Sequence, residues 1–436
     1  MAVTATSSGP EDAATLAKLR VLLREVVATN PFYGRKLASL GCSAEPSSLA
    51  DFTARFPLTT KAELVADQAA HPPYGTNLTY PLARYTRCHQ TSGTTGTAMR
   101  WLDTPDTWSA MTEDWCEVFR SAGVGPGDRA FFAFSFGPFL GFWLAFEAAQ
   151  RLGCLCFAGG GMSSILRLRV LLQNECTLLC CTPTYALHLA EVAQAEGLDL
   201  TRCQIRTIVV AGEPGGSVPA TRARLSAAWN GARIVDHHGM TETGPVTYEV
   251  PGQPGTLAVF AGSFLAEVID PITTASLADG EKGELVLTTL NRVGSPLIRY
   301  RTGDLVRSSK FKAQSSSGTG HMSPVTCHFA GGILGRVDDM VIVRGVNIYP
   351  TAVEQIVRSV PDIGEYRATY DTRSALPELS LDVEATPAAA AELERRLQAS
   401  LSLRIPVTVV APGSLPRFEL KAKRWHRLVS STGGGV

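Results

Sequence analysis

"RAFFAFSFGPFLGFWLAFEAAQRLG", residues 129–153, is the stretch on which the fold turns. Its first part, 129–136, is a short apolar run closed by Gly137 and Pro138. The part at 141–153 has the length and apolar spacing of a helix. A strand feeding a helix through a tight turn is the unit from which buried parallel sheets are assembled. The pattern returns in CTLLCCTP (176–183), followed by PTYALHLAEVAQAEG (183–197), and in IRTIVVAGEPGG (205–216). The expected class is therefore α/β, with βαβ sheets in a large N-terminal domain. GELVLTTL (283–290) through LIRYRTGDLV (297–306) reads differently, as antiparallel or barrel-like strands.

Farther along, the character changes after GGILGRVDDMVIVRGVNIYP (331–350). A helix at 351–360, two short strands, a longer helix at 386–401 and a strand at 407–412 predict a small α+β domain. The boundary is set at a charged hinge, giving domains 1–335 and 336–436, the second one mobile. SSKFKAQSSSGTGHMSP (308–324) is low in complexity and predicts a loop.

The chain has 436 residues, 45% of them apolar, and 40 basic residues balance 40 acidic ones. That balance leaves no global field to draw nucleic acid or an anionic membrane, so a bound anion must be met locally. No apolar run is long enough to span a bilayer and no leader pattern opens the chain, which predicts a cytoplasmic location. The ten cysteines form no CxxC pair and read as reduced thiols. Cys327 and His328, with His321 nearby, lack the second ligand pair of a metal centre.

HQTSGTTGTAMRW (89–101) supplies a local anion site. Gly93 and Gly96 allow close backbone approach, while Ser92, Thr94 and Thr95 add hydroxyls to exposed N–H groups, a combination that cradles phosphate oxygens. No Gly-Lys-Ser/Thr follows, so it is not a Walker loop. Taken singly, it is an ordinary surface loop. Three further motifs follow in order: HHGMTETG (237–244) with Glu242, YRTGDL (300–305) with Asp304, and GRVDD (335–339) with Arg336 and Asp338. LPRFELKAKRW (415–425) adds Lys421 and Lys423.

This ordered set resembles the adenylate-forming, AMP-binding superfamily over about residues 13–428. NPFYGRKL (30–37), FPLTTKAEL (56–64) and GVNIYPTAVEQIV (345–357) resemble its phenylacetate-CoA ligase group. The resemblance implies activation of a carboxylic acid by ATP with Mg²⁺, giving an acyl-adenylate and pyrophosphate, then transfer to coenzyme A. It implies that Thr91, Ser92, Gly93, Thr94, Thr95 and Gly96 cradle the β- and γ-phosphates, that Thr241 meets the α-phosphate and that Glu242 holds the metal. Gly212, Glu213 and Pro214 would flank the adenine, as would His238, Gly239 and Met240. Asp304 would accept the ribose hydroxyls, with Arg336 beside it, since a carboxylate offers two acceptors to a vicinal diol. Lys421 would bridge substrate carboxylate and α-phosphate, and Asp338 would be the hinge of a domain rotation. Two positions depart from the family pattern. Leu420 stands where glycine commonly precedes the lysine, which keeps Lys423 open, and His238 stands where an aromatic residue, often tyrosine, is usual.

The acyl pocket implied by the resemblance lies between FAFSFGPFLGFW (132–143), FAGGGMSS (157–164) and the strand before His238. Phe134, Phe136, Phe139 and Phe142 offer flat apolar walls, and Gly160 and Gly161 leave room for a ring, which favours an aromatic acid. Asp236 and His237 are the polar candidates there. Two alternatives stay open: transfer to a carrier-protein thiol or an amine, and a nucleotide-binding module without turnover. A monomer or a homodimer is expected.

Overall fold

The computed structural model describes residues 10–38, 45–91, 98–310, 327–344, 346–373, 377–418 and 422–428. Ser92 to Gly96 of the glycine-rich loop, Lys421 and most of the 308–324 insert thus lie outside the described residues. The chain divides into two compact units, residues 1–160 with 236–332, and residues 161–235 with 333–436.

In the first unit, the helices Pro10–Thr29 and Pro31–Ala38 follow directly on one another, because Pro31 starts a helix rather than merely ending one. They share a core with Phe52, Phe56, Leu64, Trp101, Leu297 and Tyr300, all buried. Strand Arg129–Phe132 leads through a turn to helix Leu140–Arg151 and to strand Leu155–Ala158, which pairs with it in parallel. This is the βαβ unit read from the sequence, with a shorter first strand. Phe136 takes φ 59° and Gly137 φ 51°, so the extended backbone cannot continue to residue 136.

The barrel-like reading becomes an antiparallel sheet. Its strands run in the order Thr247–Glu249, Thr256–Val259, Cys327–Ala330, Tyr300–Lys310, Lys282–Thr289 and Phe264–Ile269. Pairing between Lys282–Thr289 and Tyr300–Lys310 shifts register between Glu284 and Val286, opposite the Thr302–Asp304 stretch. Gly303 sits there at φ 77°, and its N–H donates to Glu284 Oε1 at 3.1 Å. An irregularity of this kind re-aims residues at a strand, and it carries Asp304.

In the second unit, strands Leu178–Cys181 and Thr207–Val210 pair in parallel and are fully buried, as their continuous apolar runs require. The C-terminal residues form helices Pro350–Ser359 and Pro387–Leu401 over a sheet of order Val407–Val410, Glu378–Glu384, Tyr366–Asp371 and Trp425–Leu428. Val353, Val357, Leu381, Leu393 and Leu397 fill the core between them. The last strand was not foreseen. Trp425–Leu428 reads as part of a basic tail, yet it pairs in parallel with Tyr366–Asp371.

Candidate active site

Strands Arg87–Gln90 and Arg100–Asp103 form an antiparallel ladder, with Gln90 opposite Arg100, so the glycine-rich stretch is the connection of a hairpin. Thr91 closes its base: its N–H donates to Met99 O, and its Oγ1 accepts the Met99 N–H, both at 3.0 Å. The outer strand is anchored by aromatics. His89 stacks on Trp108 (centroids 5.1 Å, 8°), Arg87 lies over the same indole, and Trp108 Nε1 donates to Glu147. Burial holds the His89 imidazole down at about 4, so it is neutral.

HHGMTETG folds into a second, tighter hairpin. Gly239–Met240 pairs with Gly244–Pro245, and Thr241, Glu242 and Thr243 form the turn. Gly244 has φ 85°, and a Cβ there would lie 2.5 Å from Met111 Sδ, so no other residue fits without repacking.

One side chain ties the two hairpins together, and nothing in its local sequence marks it. Arg292 is buried and meets Asp103 through two parallel bonds, Nε to Oδ1 at 2.8 Å and Nη2 to Oδ2 at 2.7 Å. Its Nη1 donates to the carbonyls of Thr241 and Glu242, each at 2.8 Å. The planar fork of arginine suits this arrangement, where a lysine ammonium would satisfy only part of it.

The Glu242 carboxylate is buried, and the Lys61 ammonium lies 3.2 Å from its Oε1. Lys61 opens helix Lys61–Ala70, capped at Thr60 by a capping box with Glu63. The preceding Thr59 is fixed to the strand that carries Asp304: Thr59 N donates to Arg299 O and Arg301 N to Thr59 O, both at 2.8 Å. A basic side chain beside the candidate metal carboxylate was missed because FPLTTKAEL entered only as a family likeness, with no role read for Lys61.

His238 and Asp304 meet. Nε2 lies 3.2 Å from Oδ2, and Asp304 is buried. Thr247 orders the histidine pair. Its Oγ1 accepts the His238 N–H at 3.0 Å, and its carbonyl accepts His237 Nδ1–H at 2.6 Å. A carbonyl only accepts, so His237 carries its proton on Nδ1. Burial drives that imidazole down to about 3, and its ring packs on Trp115 (4.3 Å between centroids). Asp236 Oδ1 accepts the His237 N–H.

The phenylalanines named from the sequence form one cluster. Phe134 stacks on Phe142 (4.0 Å, 15°), Phe139 meets Phe142 edge-on, and Phe136 touches Trp143 and Phe146. Gly160 lies against it, its Cβ position 3.5 Å from the Phe136 ring.

The remaining candidates belong to the second unit, together with Gly161. Gly212 has φ 92° at the turn after strand Thr207–Val210, ahead of Glu213 and Pro214. Arg336 and Asp338 pair with each other, Nε to Oδ1 at 2.9 Å, with Arg336 half-buried and Asp338 exposed. Lys423 is exposed.

A braced Thr-Glu turn and a buried Asp-His pair are arranged as a nucleotide-binding enzyme of the adenylating class would require. Comparison with known proteins agrees. Residues 90–291 match the model of the AMP-binding enzyme family, and residues 345–426 match that of the AMP-binding enzyme C-terminal domain. The chain is 30% identical over 429 residues to phenylacetate-coenzyme A ligase of Aromatoleum evansii, covering 94% of this chain and 92% of that one. It is 28% identical over 448 residues to the enzyme of that name from Escherichia coli K12, covering 97% and 98%. Among solved structures it resembles 2-hydroxyisobutyryl-CoA ligase in the postadenylation state with 2-HIB-AMP, at TM-score 0.88 and 30% identity, covering 95% of this chain and 89% of that one. The chain belongs to the AMP-binding enzymes, in their phenylacetate-coenzyme A ligase family.

Proposed function

We propose that the protein activates an aromatic carboxylic acid with ATP and passes the acyl group to coenzyme A, working in the cytoplasm. The observation that carries this reading is the Arg292 brace, which fixes the Thr241–Glu242 turn against the hairpin bearing the glycine-rich loop. Activation by ATP and transfer to coenzyme A is the chemistry of the family. The aromatic class of acid is supported by the Phe134, Phe136, Phe139 and Phe142 cluster.

In the first half-reaction a carboxylate oxygen of the acid bonds to the α-phosphorus of ATP, and the bond to the β-phosphate oxygen breaks, releasing pyrophosphate. Charge gathers on phosphate oxygens, and preorganised donors meet it at no reorganisation cost. The hairpin connection from Thr91 to Gly96 cradles the β- and γ-phosphates, and Thr241 faces the α-phosphate. Asp304 accepts the ribose hydroxyls, with Arg336 a further donor, and His238 orients the Asp304 carboxylate. The backbone of Gly212, Glu213 and Pro214 borders the adenine. Gly239 and Met240 carry the backbone beneath it.

Among the described residues no group of three His, Cys, Asp or Glu gathers around one point. Mg²⁺ takes one or two carboxylates and completes its shell with phosphate oxygens and water. Glu242 is the residue that would hold the ion, which would supply charge neutralisation for the phosphates. Lys61 balances Glu242 before nucleotide arrives.

Lys421 contributes the ammonium that bridges the two reacting groups. Residues 336–436 act as a mobile domain hinged at Asp338, and the partly exposed Arg336–Asp338 pair costs little to rearrange. In the second half-reaction the thiol attacks the acyl carbon and AMP leaves. His237, neutral and fixed in tautomer, and Asp236 border the acyl group together with Gly160 and Gly161.

Incubation with ATP, Mg²⁺, coenzyme A and a panel of benzoic, phenylacetic, cinnamic and heteroaromatic acids tests the reading, with products followed by mass spectrometry. AMP and an aryl-CoA thioester are expected in equal amounts. Acyl-adenylate that accumulates beside unused coenzyme A would move the acceptor to a carrier-protein thiol or an amine.

A further inference from the structure

The carboxylate of Glu213 holds two segments that are far apart in the chain. Its Oε1 accepts the N–H of Thr184, in the first turn of helix Pro183–Ala195, and its Oε2 accepts the N–H of Ala422, each at 2.8 Å. Thr184 N–H is one of the first helical amides, which have no partner within the helix, so an anion at this position is favoured. A carboxylate is the side chain that accepts at two oxygens and donates at neither. An amide at 213 keeps one acceptor and brings a donor, so it cannot serve both N–H groups.

Two arginines flank the contact on either side of Ala422. Arg424, buried, pairs with Glu365 (Nε to Oε1 2.6 Å) and reaches Thr184 Oγ1 at 3.3 Å. Arg417 lies between Glu191 (3.0 Å) and Glu384 (2.7 Å). Arg417 and Arg424 are thus each fastened to helix Pro183–Ala195, and Glu213 fastens Ala422. Ala422 is the residue between Lys421 and Lys423 in sequence.

We propose that Glu213 is a positioning residue for adenylation: it docks the C-terminal segment at Ala422 and so sets where the tail lysine is presented. Both of its oxygens are engaged by the protein, so it acts through the tail rather than by grasping the nucleotide. This rests on the reading that a tail lysine serves the first half-reaction.

Glu213→Gln in the full-length protein tests this with three readouts: acid-dependent ATP–pyrophosphate exchange, AMP affinity by calorimetry, and thioester formation from a supplied synthetic acyl-adenylate and coenzyme A. Exchange is expected to fall about 10- to 100-fold, the scale of one or two hydrogen bonds to a charged group. AMP affinity and the thioester step should stay within about twofold of wild type. AMP affinity falling in step with exchange would overturn the proposal in favour of a direct nucleotide contact. Equal losses in both half-reactions would overturn it in favour of a general structural role. Ala422→Pro removes the donated N–H without touching the 212–214 turn and covers the case in which the first variant fails to fold. Exchange should drop in it likewise, and the double variant should lose little more than either single one, whereas additive losses would contradict the clamp. A wild-type protein without acid-dependent exchange would sink the activity reading itself, a result distinct from any of these.

Discussion

The Thr241–Glu242 turn and the segment around Asp338 hold their charges in opposite ways. At the turn, Arg292 and Asp103 are both buried and joined by two parallel bonds, and the remaining nitrogen is spent on two backbone carbonyls. Near Asp338, Arg336 and Asp338 make a similar fork, with side chains 38% and 61% exposed. Removing one partner of a buried pair leaves an uncompensated charge, whereas an exposed pair exchanges its partner for water at almost no cost. One arrangement preserves a geometry, and the other permits change. The proposed nucleotide seat calls for the first, and the proposed hinge for the second.

That contrast breaks first at Arg292. Arg292→Met should destabilise the protein by about 3–5 kcal/mol, as deletion of one member of a buried pair does, and should remove pyrophosphate exchange. Urea unfolding and the exchange assay measure the two effects, and full activity in the variant would refute the brace. Next comes Lys61→Ala. It should leave the fold intact, because the Lys61 side chain is 46% exposed, while slowing adenylation about tenfold by unbalancing Glu242. Stability and exchange falling together would assign Lys61 to the scaffold instead.

The buried imidazoles sharpen the comparison through pH. His237 and His89 are held down at about 3 and about 4 by burial. Above about pH 6.5 both folded and unfolded chains carry neutral imidazole, and these groups add no pH dependence. Below it the unfolded chain binds protons that the folded one refuses, so stability falls with pH until the folded values are reached. His237→Phe should flatten that acid slope in urea titrations between pH 4 and 7, and an unchanged slope would contradict the burial argument. The smallest effect belongs to the proposed hinge. Asp338→Ala should shift stability by no more than about 0.5 kcal/mol. Asp338→Pro should impair thioester formation much more than adenylation, whereas equal losses would argue against rotation about that residue.

Much of this was readable before any coordinates, and the pattern of what was not is physical. The strand-turn-helix at 129–153, the glycine-rich loop, Glu242 and Asp304 are local signals, each written in fewer than about thirty residues of periodicity or turn chemistry. Asp103 and Arg292 are 189 residues apart and of ordinary type, so nothing local marks their pairing. Lys61 hides in a capping box, where a basic residue is unremarkable. Trp425–Leu428 becomes a strand because the edge of Tyr366–Asp371 is there to receive it, a tertiary cause that a basic tetrapeptide does not advertise. The Arg129–Phe136 run overreached for the same reason, since packing between Phe134 and Phe142 and the positive φ at Phe136 end the strand early.

ATP–pyrophosphate exchange in wild type and Glu242→Gln, with the best acid of the aromatic panel, tests the nucleotide seat most directly. The account predicts acid-dependent exchange in the wild type and its loss by at least about 100-fold in the variant, with the fold intact by circular dichroism. Exchange that persists in Glu242→Gln at the wild-type rate would place the chemistry elsewhere and contradict it.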